Sequence, residues 1–320
     1  MPGTRAGIRG LSLLAVPLNV SILRALAEEP KRLMDLRRET GSPPQTTLRK
    51  HLRGLTEIGV LEKRRQDAFP GVLEYELGTA GPDLLAVDNV LADWLMVAPN
   101  APLSLGDHAA KSAITALVEG WGTKMLRALV ARPLSLTELD DLISGVSYPS
   151  LERRLAAMRL AGLVEAVPGQ GRGTPYTVTE WARLAVGPIT AAARWEQRHL
   201  RGEVSPLSKH DVEAAFLLAV PMLRLSADLS GACRLSMEVQ NGKGPTFAGV
   251  LVDVEEGRIA SCGSRLEGNA AAWASGSAPA WLRAVITHDA GSLEVGGDLQ
   301  LARGFLDDLH GALFRVRQVS

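Results

Sequence analysis

Apolar residues in the first sixty positions recur at helical spacing and then give way to short strand-like runs. The run Leu11–Val16 continues as an amphipathic segment through Leu26, which fits a first helix better than a signal peptide, because no small-residue cleavage site follows. The pattern predicts a helix over about Val20–Glu28, stopped ahead of Pro30, and another over Leu33–Glu39. In Ser42-Pro43-Pro44-Gln45 the expected roles are a serine N-cap, a proline at the first helical position and a capping-box glutamine. That third helix should reach Ile58, where Gly59 can take a left-handed cap. Val60–Lys63 and Leu73–Leu77 then read as two strands around a turn at Pro70-Gly71.

The pattern repeats. Leu23-Arg24-Ala25-Leu26 recurs as Leu126-Arg127-Ala128-Leu129, and at the same offset of 103 Pro30, Leu36, Leu48, Leu52, Gly59 and Glu62 meet Pro133, Leu139, Leu151, Leu155, Gly162 and Glu165. After a two-residue shift in the expected loop, Tyr75 matches Tyr176 and Trp94 matches Trp195. The second copy has strands at Leu163–Val167 and Tyr176–Val178 around the glycine-rich tip 168–173. Each copy is three helices, a two-stranded wing and a closing helix.

The segments Leu136-Thr137-Glu138-Leu139, Ser147–Leu155 and Ala161–Val164, together with Thr47–Leu52 and Ile58–Leu61, resemble the HxlR and MarR-like winged-helix regulators. The resemblance implies two α+β winged helix-turn-helix domains in tandem, over 12–100 and 108–200, that bind double-stranded DNA. It also implies that the helices ending at Trp94 and Trp195 correspond to the family's dimerising helix. The chain is then a monomer with an internal pseudo-dimer, or a homodimer.

With Leu48, Leu52 and Leu55 turned inward, the third helix presents Glu57 and, as hydrogen-bond donors, Thr46, Arg49, Lys50 and Arg53, with Thr47 opening the same helix. Such residues donate to guanine edges and phosphates in a major groove, while Lys63, Arg64 and Arg65 on the wing reach the flanking backbone. The second copy offers Ser150, Arg153 and Arg154 on its helix and Arg172 at its wing tip, but Glu152 and Ala156 stand where the first has Arg49 and Arg53. The first unit should therefore dominate sequence reading, with the second giving backbone contacts or a packing surface.

Beyond a linker at 201–208 the pattern changes to α+β: a mostly apolar helix over Asp211–Leu225, then strands over Cys233–Val239, Thr246–Val254 and Arg258–Cys262. Short helices are expected at Asn269–Ala274 and Pro279–Ala284, strands at Ala284–Thr287 and Gly291–Val295, and a closing helix over Leu299–Phe314. Val252–Gly257, Ala270–Gly276 and Gly291–Asp298 resemble the sterol carrier protein family, whose curved sheet and helices enclose an apolar tunnel. A C-terminal sterol-carrier-like domain over 209–318 is expected, with Trp273, Trp281, Leu282, Val285, Phe305 and Leu309 near a cavity for a small hydrophobic ligand.

Net charge is zero, but the basic residues are not evenly spread: Thr47–Arg65 holds six Lys and Arg against Glu57 and Glu62. Cys233 and Cys262 are too few for a disulfide framework or a zinc cluster, and buried free thiols in a cytoplasmic protein are expected. No apolar stretch reaches bilayer length, so no membrane span is predicted. The six histidines lack metal-ligand spacing, His288-Asp289 has no nucleophile to pair with, and the glycine-rich tip lacks a phosphate-loop lysine. Neither enzyme activity nor a metal or cofactor is expected. The different-class alternative is a protein that sequesters a hydrophobic compound and uses the winged helices for assembly.

Overall fold

A computed structural model describes residues 6–65, 73–122, 124–168, 173–200, 206–241 and 244–314. The chain forms two compact units, each discontinuous in sequence: 1–115 with 191–205, and 116–190 with 206–320.

The first unit opens with α1 (Ile8–Leu14) and α2 (Pro17–Glu28), two helices at 84° rather than the single helix that the apolar run suggests. The break falls at Val16-Pro17, because proline fixes an extended neighbour before it and starts the next helix well. A short strand β1 (Lys31–Arg32) precedes α3 (Leu33–Glu39) and α4 (Gln45–Glu57). Strands β2 (Leu61–Arg65) and β3 (Leu73–Leu77) follow, then α5 (Gly81–Met96). The sheet order is β1-β3-β2, all antiparallel.

Ser42 does not cap α4. Its φ is +56°, and with Gly41 it closes α3 instead: the Ser42 N–H donates to Arg37 O at 2.7 Å, the six-to-one bond of a left-handed helix ending. Pro44 stands at the N-cap and makes no side-chain cap bond. At the other end of α4 the expected left-handed Gly59 is present, with φ +71° and Val60 N–H donating to Leu55 O.

In the second unit the same succession of elements recurs. It begins with α6 (His108–Gly122), whose first residues belong to the first unit, and continues through α7 (Met125–Ala131), α8 (Leu136–Leu142) and α9 (Tyr148–Leu160). Strands β4 (Val164–Ala166) and β5 (Tyr176–Val178) pair antiparallel, and a Leu134–Tyr176 bridge replaces the Lys31–Tyr75 pairing of β1 and β3. Gly162 ends α9 as Gly59 ends α4, with φ +77° and Leu163 N–H donating to Met158 O. The closing helix is divided into α10 (Glu180–Leu184) and α11 (Val186–His199), and α11 from residue 191 onward belongs to the first unit. There Trp195 donates its Nε1–H to Ala80 O at 2.9 Å, and the buried Glu196 carboxylate accepts the Gly7 and Gly10 N–H groups opening α1. Burial pushes the Glu196 carboxyl up, against those N–H bonds. Trp94 is buried as well.

The C-terminal part starts with α12 (Lys209–Ala219) and a 3-10 turn (Val220–Met222), followed by β6 (Gly231–Asn241), β7 (Gly244–Glu255) and β8 (Arg258–Gly263). Then come β9 (Ala272–Ser277), α13 (Ala278–Thr287), β10 (Glu294–Gly297) and α14 (Leu299–Phe314). The five strands lie in the order β10-β9-β6-β7-β8, with only β6 and β9 parallel. Two expectations are corrected here. The segment expected as a helix at Asn269–Ala274 enters strand β9, where Ala272 and Ala274 are buried and Trp273 is exposed, a period of two. Ala284–Thr287 is not a strand but the end of α13, because Ala280, Trp281, Ala284 and Val285 form one buried helical stripe. Helix α12 packs on β7 and also on α7 and α10, which accounts for its burial nearly all round.

Candidate nucleic-acid interface

Leu48, Leu52 and Leu55 are at most 1% exposed and seat α4 on its own unit. Burying each contributes about 1.5–3 kcal/mol. Their burial turns Thr46, Thr47, Arg49, Lys50 and Arg53 to the surface, all exposed. On β2 only Leu61 is buried, so Lys63, Arg64 and Arg65 are also exposed. Arg64 leans toward Glu76 at 3.6 Å and Arg32 toward Glu74 at 3.8 Å, so acidic residues of β3 partly screen the wing. The wing tip with Pro70-Gly71 lies outside the described residues.

Sequence reasoning passed over His51. Its Nδ1 lies 2.8 Å from Asn19 Oδ1, and the Asn19 amide donates through Nδ2 to Leu13 O at 2.9 Å. That second bond fixes which way the Asn19 amide points, so His51 is the donor and carries its proton on Nδ1. Burial, and then the charge of Lys50, hold its pKa below the ordinary value. The chain Leu13–Asn19–His51 ties α4 to α2 and to the end of α1. No local motif signals it, because Asn19 is defined by burial in the folded unit rather than by a spacing.

In the second copy Leu151, Leu155 and Met158 are buried and Arg153 is exposed. Ser150 is half-buried, and Arg154 is half-buried with its Nε 3.9 Å from Glu119 Oε2, turned inward rather than presented. Arg172 lies outside the described residues. Helix α8 carries a cap that sequence reasoning missed, although Ser135-x-x-Glu138 spells it: the Ser135 hydroxyl accepts the Glu138 N–H while the Glu138 carboxylate accepts the Ser135 N–H. Arg132, then those Ser135 bonds, bring the Glu138 carboxyl down to about 2.

Of the six residues expected near a C-terminal cavity, Trp281, Leu282, Val285, Phe305 and Leu309 are buried between the sheet and its helices. Trp281 donates to Ser236 O at 2.7 Å and meets Phe216 of α12 edge to face, with ring centroids 5.0 Å apart. Trp273 is not brought together with them. It stands 38% exposed on the opposite face of β9, its ring so close over Gly296 that a Cβ there would fall 2.2 Å from it. Cys233 is buried as expected, whereas Cys262 is only half-buried, and desolvation raises both thiols to about 12. His288 pairs with Asp307 at 2.7 Å, and among the described residues no His, Cys, Asp or Glu cluster could hold a metal ion. No single described helix is long and apolar enough to cross a membrane.

Three helices with an outward basic third one, closed by a β-wing, define the N-terminal segment as a winged helix-turn-helix of DNA-binding type. Residues 17–100 match the HxlR-like helix-turn-helix family, a family of transcription regulators. No curated protein matches the chain.

Proposed function

We propose that the chain is a ligand-responsive transcription regulator acting in the cytoplasm. The observation that carries this reading is the exposed basic face of α4 and β2, on the segment that matches the HxlR-like family. Thr46, Thr47, Arg49, Lys50 and Arg53 read and grip the major groove of a DNA duplex, and Lys63, Arg64 and Arg65 hold the adjacent phosphates. The chain is organised as a first winged-helix domain at 12–100, a second at 108–200 and a sterol-carrier-like domain at 209–318. Support for the second comes from the repeated element order and the repeated glycine cap. Support for the third comes from a five-stranded sheet packed against α12, α13 and α14, with Trp281, Phe305 and Leu309 in the core where a small apolar effector would bind. Neither an enzymatic step nor a cofactor enters the mechanism.

The test is capture of genomic DNA fragments by the purified full chain, followed by gel shift at two salt concentrations. Sequence-selective retention that weakens steeply with salt is expected, since phosphate contacts release counterions. Folded protein with no selective retention would overturn the regulator and favour sequestration of a hydrophobic compound.

A further inference from the structure

The two copies differ most where the first faces outward. At the 103-residue offset, Gln45, Thr46, Arg53 and Glu57 are matched by Tyr148, Pro149, Ala156 and Leu160. Beside them Glu39 of α3 is matched by Leu142 of α8, and the wing residues Lys63, Arg64 and Arg65 by Ala166, Val167 and Pro168. Tyr148 is 44%, Leu142 60% and Leu160 86% exposed, so the substitutions have not drawn these side chains into the core. Single exposed apolar residues are ordinary on a surface, but a recognition face that has exchanged four polar residues for Tyr148, Pro149, Ala156 and Leu160, while Glu152 and Arg153 stay exposed beside them, marks a protein contact.

The charges left on α9 say what partner this face fits. Pro149, Ala156 and Leu160 lie on one stripe, at i, i+7 and i+11. Glu152 and Arg159, also seven apart, lie along one flank of it, both exposed and neither with an ion-pair partner among the described residues. When two such helices cross antiparallel about Ala156, the same flank faces itself, and Glu152 of each chain meets Arg159 of the other. The small Ala156 side chain lets the helices approach at the crossing. Opposite charges symmetric about a small residue in an apolar stripe are the pattern of a self-complementary twofold contact.

We propose that the outward face of α9 is the isologous interface of a homodimer, with α9 antiparallel to α9 of a second copy. The second winged helix has exchanged DNA reading for dimerisation, and each chain brings one DNA-reading helix to the assembly. This rests on the repeat correspondence and not on whether the first copy binds DNA, which the gel shift decides separately.

Sedimentation of the full chain over a concentration series tests it, with circular dichroism to verify folding of each variant. The wild type should be a dimer at micromolar concentration. Glu152→Arg or Arg159→Glu alone sets like charges against each other twice per dimer and should weaken association at least about tenfold. The double swap E152R/R159E restores opposite charges across the twofold and should recover the dimer. A wild type that stays monomeric up to on the order of 100 μM would overturn the proposal. So would a dimer unaffected by the single swaps, or a double swap that fails to recover it.

Discussion

At the scale of single residues, the exposed basic side chains of α4 were legible in the sequence because three leucines at helical spacing fix the inward direction and so the outward one. Arg53 and Arg153 are both exposed, yet only Arg53 belongs to a basic face continued by a basic wing. Arg53→Ala should weaken operator binding by about 1–3 kcal/mol, while Arg153→Ala should change it little; fluorescence anisotropy on the captured operator compares them. Equal losses would return the second copy to DNA reading. What spacing does not report is whether a long side chain stays free: Arg154 lies on the same helix but turns to Glu119. Ser135 gives a second residue-level expectation. Ser135→Ala removes the N-cap of α8 and should cost about 0.5–2 kcal/mol in urea unfolding. Glu138 adds a pH signature. Its carboxyl is depressed in the fold, so its contribution is fully present above the ordinary carboxylate value of 4.5 and is lost as pH falls toward about 2. The stability difference between wild type and Glu138→Gln should close over that window.

Among elements, those bounded by glycine endings were legible and those bounded by ambiguous signals were not. Gly59 and Gly162 sit at positive φ where the repeat places them. Ser42-Pro43-Pro44 carries the letters of an N-cap, but Gly41 just before it supplies a left-handed ending for α3, and Ser42 can serve only one of the two helices. In the C-terminal part, Ala-rich segments misled because alanine suits a helix by propensity while Ala272 and Ala274 are placed by strand pairing with Cys233 and Leu235. The seating of α4 through His51 depends on tertiary placement, and it carries its own test. A base whose pKa is lowered by folding prefers its neutral form in the native state. Its contribution should be complete above the ordinary histidine value of 6.5 and decline as pH falls below it. Nitrogen-detected NMR should show His51 protonated on Nδ1 and titrating below 6.5, and Asn19→Ala should remove the preference for that tautomer.

Across the whole molecule, one arginine occurs twice and is answered differently. Arg24 of α2 donates to Asp88 of α5 at 3.0 Å through Nε, and Asp88 is almost fully buried, its carboxyl raised by burial against the pull of Arg24. Its repeat counterpart Arg127 of α7 donates from Nε, at 2.9 Å, and from Nη2 to Glu213 of α12, a carboxylate with 2% exposure. In the first unit the partner comes from the closing helix of the same copy; in the second it comes from the opening helix of the C-terminal part. Arg183 strengthens that second junction by donating to Leu217 O at 3.0 Å. This is why sequence pattern alone, which marks a boundary near 205, does not coincide with the compact units: a composition shift shows where the chain changes style, whereas an ion pair across it shows what folds together. Removing Arg24 takes from the buried Asp88 its ion-pair partner, which should cost about 3–5 kcal/mol, reduced because the guanidinium is partly exposed; removing Arg127 should cost less, because Lys209 at 3.7 Å and His210 at 3.8 Å still face the Glu213 carboxylate. The effects should stay within separate units. Arg24→Ala should speed hydrogen exchange in α2 and α5 and leave α7 and α12 protected, and Arg127→Ala should do the reverse, with loosening that extends from α7 through α12 into β7. Exchange that rises everywhere in both variants would mean that the chain opens as a single cooperative body, and that α12 has no special part in joining the second repeat to the sheet.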